Sequence, residues 1–446
     1  MDESPASIQP ARGALDGLRV LEFGSLIAGP FAARLMAEFG ADVIKVEAPA
    51  QGDDPGGDPL RSWRKLHKGE SLWWTAQARN KRCITLNLKH PQGRDIALRL
   101  AERADVVVEN MRPGALEKLG LGWDDLRAVN PSLVMVRISG FGQTGPMRLQ
   151  PGFGAIAEAM GGMRYVTGDP DRPPMRANLS LGDSVAALHA VIGALMALRH
   201  RDATGGRWNG AQENAGPPQV FLTPSGGGPG AARPWGRTSC GEGQMVDVAL
   251  TESVFNLMES TLMEYSLDGT VRQRTGTSIP GITPSNVYRS KGGEWVQISG
   301  NGDAIFKRLM LAIGRPDMAG DAGLARNPGR MARADEIDAA IQQWAAQQEP
   351  EAIVQAMRAA EVPATRIYSI ADIVADPQFR SRGMIEAHAL ADGTPVDLPA
   401  PAPRLSATPG ATRWLGPALG AHTDEVLAEL GLDAGQIATL RQDGVI

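Results

Sequence analysis

At 446 residues the chain exceeds the roughly 250–300 residues at which a single hydrophobic core stops growing, so it reads as more than one domain. Apolar residues make up 43% and charged residues 21%, which excludes a disordered or fibrous chain, and 45 Lys and Arg against 50 Asp and Glu leave no global positive field to gather nucleic acid. Cys83 and Cys240, the only cysteines, exclude a disulfide framework and a thiolate zinc site.

The start, Met1-Asp2-Glu3-Ser4-Pro5, is acidic and polar, unlike a secretory signal or an Arg-rich transit peptide. No uninterrupted apolar run approaches the 18 or so residues a membrane helix needs. A cytoplasmic protein without a membrane span is expected. The first crossover is a strand over 18–23, a helix opened by Gly29-Pro30 and running to Glu38, and a strand over 42–47. The alternation continues with a strand over 83–88, a helix over 91–103, a strand over 104–109, a helical turn over 114–119 and a strand over 133–138. This predicts an α/β domain with a parallel sheet, whose ligands sit beyond the carboxyl ends of the strands. Those ends are 24–28, 47–54, Lys89, 109–113 and 139–144.

A long helix is expected from Ser184 to about His200, because Ala186, Leu188, Ile192, Leu195 and Leu198 recur at helical spacing. Residues 208–242, rich in Gly and Pro, read as an insertion within a linker over 208–283. A helix is expected over 246–266. A smaller α+β domain follows over 284–384, with two strands between Val287 and Ile298 and helices at 303–313, 334–347 and 350–360. The tail, 385–446, carries a helix at 422–430 and is expected to return to the large domain, 1–207.

Asp183, at the expected mouth of the long helix, has two readings. One is an N-cap, worth about 1 kcal/mol. The other is a nucleophilic carboxylate: Gly182 permits close approach, the helix dipole favours the anion, and an ionised carboxylate in a water-poor pocket attacks an activated acyl group. Asn80-Lys81-Arg82, Lys89 and Asn110-Met111-Arg112-Pro113-Gly114 lie where a phosphorylated ligand would rest, the alternative being ordinary surface charge. The six His form no metal-binding pair, no G-x-S-x-G elbow occurs, and Gly300-Asn301-Gly302 reads as a strand-to-helix turn.

Several segments in one order resemble the class III CoA-transferase family: Leu15-Asp16-Gly17-Leu18-Arg19-Val20-Leu21-Glu22-Phe23, Ala28-Gly29-Pro30, Gly40-Ala41-Asp42-Val43-Ile44-Lys45-Val46-Glu47, Asn80-Lys81-Arg82, Pro113-Gly114-Ala115-Leu116 and Gly243-Gln244-Met245-Val246-Asp247. The resemblance implies a Rossmann-like large domain, a smaller domain, and two chains interlocked as a ring homodimer. It places the catalytic aspartate on Asp183 and CoA contacts on Leu26, Ile27, Ala28, Leu86, Lys89, Asn110, Met111, Lys118 and Leu119. It also places the acid substrate near Phe153, Gly154 and Gly281.

Racemases of the family carry a His-Asp pair where this chain has Phe153-Gly154, and Phe153 accepts no proton, which favours transfer over racemisation. Formyl-CoA transferase has a carboxylate at the Gly154 position and a Gly-rich loop where this chain has Ser278-Ile279-Pro280-Gly281, which argues against oxalate as acceptor. The expected reaction moves CoA from an acyl-CoA such as succinyl-CoA to a small dicarboxylate through an aspartyl-CoA thioester. CoA is substrate, and no permanent cofactor or metal is expected. Oxyanion donors are sought at Gly140–Gly145 and Gly281, and a guanidinium for a second carboxylate at Arg164, Arg172 or Arg176, the alternative for these arginines being ordinary surface charge. The alternatives are an acyl-CoA racemase and a non-catalytic CoA-ester-binding protein.

Overall fold

The computed structural model describes residues 13–204 and 241–446, so the N-terminal pentapeptide and nearly all of the expected 208–242 insertion lie outside the described residues. The chain divides into two compact units.

The larger unit takes in the described parts of Met1–Gly162, Ala177–Glu259 and Glu386–Ile446. Its centre is a six-stranded sheet of β1 (Arg19–Glu22), β2 (Asp42–Glu47), β3 (Lys81–Thr85), β4 (Val106–Glu109), β5 (Val134–Ser139) and β6 (Met245–Ala249), in the order β3-β2-β1-β4-β5-β6. Every pairing is parallel. This is the Rossmann order, and its direction reverses between β1 and β4, where a crevice opens beyond the carboxyl ends. Helices α1 (Ala28–Glu38) and α2 (Pro91–Arg103) make the crossovers from β1 to β2 and from β3 to β4.

Strand residues alternate between faces. Leu21, Ile44, Ile84 and Val107 face a core completed by Ile96 and Leu100 of α2 and by Val426, Leu427, Ile437 and Leu440 from the C-terminal helices Thr423–Glu429 and Ala434–Gln442. The other face carries Glu22, Lys45 and Lys81. Helix α3 (Gly154–Met160) and the long helix α4 (Leu181–Thr204) follow, with α4 packed against α1, α3 and β5. Its buried Ala186, Ala190, Ala194 and Ala197 give it a low-profile face for close packing.

Several expectations change. β3 begins two residues early and ends at Thr85, because Asn87 turns its N–H away to the carbonyl of Val445. The single helix expected over 246–266 is strand β6, then helix α5 (Leu250–Phe255), then a helix at Thr261–Asp268. Residues 163–176, expected in the large domain, cluster instead with 260–385: Gly168 bridges Gly276, and Arg274 donates to the carbonyls of Tyr165 and Asp169. Finally, α4, with 24 residues, has the length and hydropathy of a membrane span, yet its buried residues pack against α1, α3, α5 and the sheet, and Arg201 near its end pairs with buried Asp105.

The smaller unit, Met163–Arg176 with Ser260–Ile385, holds an antiparallel sheet of β7 (Ser285–Arg289), β8 (Trp295–Ser299) and β9 (Ala364–Arg366) in the order β9-β8-β7. Helices Asp303–Ala312, Ala334–Ala345 and Pro350–Ala359 supply Phe306, Leu309, Ile337, Ile341, Ile353 and Met357 to its core.

Candidate active site

Helix α4 runs antiparallel to the strands. Arg201, 5% exposed at its side chain, pairs at 3.1 Å with Asp105, which immediately precedes β4. Asp183 lies 18 residues (201 − 183) towards the other end, about 27 Å along an α-helix, and so reaches the carboxyl edge of the sheet. The helix begins at Leu181, three residues before the expected start, so Asp183 belongs to its first turn and is not the N-cap. There the helix dipole favours negative charge.

A backbone surface lies against this carboxylate. A Cβ added at Gly154 would overlap Asp183 Oδ2 and come within 2.7 Å of Cγ, so only glycine fits the observed arrangement. Gly182 is also tight, with Gly154 O 2.7 Å from its would-be Cβ. Glu158, 2% exposed, accepts the Gly182 N–H at 3.2 Å. The same segment is tied to the end of β5, since a Cβ on Gly140 would meet Gly152 Cα at 2.9 Å.

Towards the other edge of the sheet, a cavity of about 430 Å³ opens beyond β1, β2 and β3. Its walls include Phe23 to Ser25, Glu47 to Pro49, Leu86 to Lys89, Met111 and Leu119. Beneath it runs a buried charge network. The register sets Glu22 beside Lys45, and Lys81 lies on the same face of β3. Lys45 Nζ contacts Glu22 at 2.9 Å, Asp58 at 3.0 Å and the Gly24 carbonyl at 2.7 Å. Burial alone would lower its pKa, but Glu22, Asp58 and Glu47 outweigh that and raise it, so the ammonium is permanent. Lys81 contacts Glu22 Oε2 at 2.7 Å, and burial lowers its pKa. Burial likewise pushes the Cys83 thiol up, which removes it as a nucleophile.

Of the residues named from sequence, Leu86, Lys89, Met111 and Leu119 share the cavity wall; Leu26, Ile27, Ala28, Asn110 and Lys118 do not line it. Asn110 clasps Ser25 across the switch point, accepting its N–H at 2.8 Å and donating to its carbonyl at 2.9 Å. Leu26 adopts φ 64° and gives its N–H to Asp58; Ile27 and Ala28 open α1. Lys81 is buried in the network and Arg82 pairs with Asp42 and Glu429, so neither is left to a phosphate. Gly154 adjoins Asp183, whereas Phe153 is 64% exposed. In the loop after β5 the Gln143 N–H is taken by Asp247, which withdraws it as an oxyanion donor. Gly281, Arg164, Arg172 and Arg176 belong to the smaller unit, where the Gly281 carbonyl accepts from Asn327. Among the described residues, no group of three His, Cys, Asp or Glu suits a metal ion.

Sequence reasoning missed Asp58, Lys45 and Glu158 as parts of the site. For Lys45 the signal was present, since a lysine amid Val and Ile in an interior strand demands a buried partner.

The model of CoA-transferase family III matches residues 15–208 and 232–423. The chain is 42% identical over 443 residues to the succinyl-CoA–D-citramalate CoA-transferase of Chloroflexus aurantiacus, covering 99% of this chain and 100% of that protein. It is 38% identical to the succinyl-CoA–L-malate CoA-transferase beta subunit of the same organism, covering 97% and 98%. The crystal structure of a CAIB/BAIF family protein from Brucella suis superposes with a TM-score of 0.75 at 30% identity, over 94% of this chain and all of that one. The parallel sheet, the glycine-lined aspartate and these likenesses agree, and the chain belongs to CoA-transferase family III.

Proposed function

We propose that this CoA-transferase takes CoA from succinyl-CoA and gives it to a small dicarboxylic acid of the citramalate or malate kind, with Asp183 as the acyl carrier. The observation that carries the mechanism is the first-turn position of Asp183 with the Gly154 backbone against its carboxylate. The substrate class follows from the likeness to transferases named for succinyl-CoA, citramalate and malate.

The steps balance without a redox partner or a net proton. Asp183 attacks the thioester carbonyl, the C–S bond breaks, and CoA thiolate leaves a succinyl-aspartyl anhydride. The thiolate attacks the aspartyl carbonyl and succinate departs with the C–O electrons, leaving an aspartyl-CoA thioester. The acceptor carboxylate attacks that carbonyl, expelling CoA thiolate. The thiolate then takes the acceptor's acyl group and restores Asp183. Because a thioester is exchanged for a thioester, the protein's task is to exclude water and to stabilise each oxyanion. Phe153 offers no base for proton exchange at the α-carbon, which supports transfer over racemisation.

The active form is proposed as a cytoplasmic homodimer. In its support, Leu188, Ile192 and Met196 make an exposed apolar stripe along α4. A mass-spectrometric screen of succinyl-, acetyl- and formyl-CoA against a panel of free acids tests the reading. Citramalyl- or malyl-CoA formation from succinyl-CoA is expected, and Asp183→Asn is expected to lower the rate at least 10³-fold. Transfer by Asp183→Asn at the unaltered rate would end the mechanism; activity confined to monocarboxylates would end the substrate assignment.

A further inference from the structure

Leu26 is a non-glycine residue in the left-handed region, φ 64°, at the carboxyl end of the central strand. That conformation is disfavoured for every L-residue with a side chain and persists only where its surroundings over-determine it. Here they do. Asp58, 4% exposed, receives the Leu26 N–H on both carboxylate oxygens at 3.1 Å. Asp58 is in turn fixed from three sides: Lys45 Nζ lies 3.0 Å from it, the Leu60 N–H donates to it at 2.9 Å, and its own N–H is held by Glu47 Oε1 at 2.9 Å. Glu47 is bound by Arg61 through two nitrogens, and Arg61 stacks 3.7 Å from the Trp74 ring. Lys45 also grips the Gly24 carbonyl, so one ammonium holds both the strand end and the carboxylate that bends the next turn.

The consequence is geometric. The left-handed residue turns the chain from β1 into α1 and shapes the wall formed by Phe23, Gly24 and Ser25, on which Asp58 and Lys45 also appear. Building this corner with leucine instead of glycine requires a buried, charge-assisted clamp. A glycine would adopt the same turn unaided.

We infer that Asp58 is a positioning residue for the CoA moiety. It holds Leu26 left-handed, and so keeps the β1–α1 corner in the shape that receives the acyl-CoA, without touching the reacting atoms. This rests on the reading of the switch-point crevice as the CoA site.

The test compares Asp58→Asn in two backgrounds, Leu26→Ala and Leu26→Gly, which both lack the leucine side chain and differ in their tolerance of positive φ. Asn keeps the side-chain volume and leaves Lys45 paired with Glu22, so the protein is expected to fold, while an NH2 replaces one of the two oxygens that receive the Leu26 N–H and the charge that strengthens that bond is lost. With alanine at 26, Asp58→Asn is expected to raise KM for succinyl-CoA about tenfold with kcat within about twofold. With glycine at 26 the rise is expected to stay below about threefold. An equal rise in both backgrounds, a fall in kcat alone, or no effect in either would overturn the clamp. A wild-type protein that binds no CoA by calorimetry would overturn the parent reading together with the clamp.

Discussion

Gly154 shows how little freedom the nucleophile has. Because its missing Cβ is what leaves room for the Asp183 carboxylate, Gly154→Ala must displace the carboxylate or the first turn of α4. A shift of about 1 Å at a reacting group costs on the order of 10²-fold in rate. Steady-state kinetics should therefore show kcat reduced by about that factor with KM for succinyl-CoA little changed, and an unaltered kcat would contradict the placement. Lys45 is the structural counterpart. Removing it in Lys45→Met leaves Asp58 buried without its cation, and breaking such a pair costs about 3–5 kcal/mol. Urea unfolding should register a loss of that size; a loss below about 1 kcal/mol would mean that the network is slack. At this scale the chemistry was legible only in part. Asp183 stood beside glycine ahead of a periodic apolar run, a pattern that suits an N-cap as well as a nucleophile, and the family resemblance supplied the choice between them. The contact of Asp183 with Gly154, 29 residues earlier (183 − 154), was not legible, because no local pattern records which loop returns to meet a helix.

Elements that complete a crossover were readable because hydrophobic runs, turn residues and a helical period recur within about 30 residues. Strand β6 was hidden for a physical reason: it passes into α5 without a loop, so Val246, Leu250 and Val254 keep helical spacing through a stretch that is half strand. Helix α3 is seven residues long and mixes buried Ala157 and Glu158 with exposed Ile156 and Met160, too short to establish a period. The C-terminal helices pack on the sheet through a titratable contact. His422 Nδ1 accepts the Cys83 N–H at 3.2 Å, and its pKa is lowered, chiefly by burial. A histidine depressed in the folded state binds fewer protons than in the unfolded chain. Its contribution to stability is therefore complete above the ordinary value near 6.5 and is lost as pH falls through the folded-state value. The melting temperature should fall between about pH 7 and pH 5, and His422→Asn, which keeps an acceptor but does not titrate, should flatten that slope. An identical slope in the variant would remove His422 from the acid response.

For the whole molecule, the prediction concerns assembly. Among the described residues, Met196 of α4 is 67% exposed, and Leu267, at the end of the Thr261–Asp268 helix, is 85% exposed. Apolar surface on this scale, spread over both units, is what a second copy would cover. Sedimentation equilibrium should give twice the mass of one chain, and a fully active species of single-chain mass would refute the dimer. The claim on which everything else depends is chemical: one carboxylate becomes an acyl carrier. Hydroxylamine added during turnover with succinyl-CoA, followed by proteolysis and peptide mass spectrometry, tests it most directly. A hydroxamate on Asp183, growing with time and absent without succinyl-CoA, is expected. Continued product formation with Asp183 unmodified, or a hydroxamate on another carboxylate, would contradict the claim.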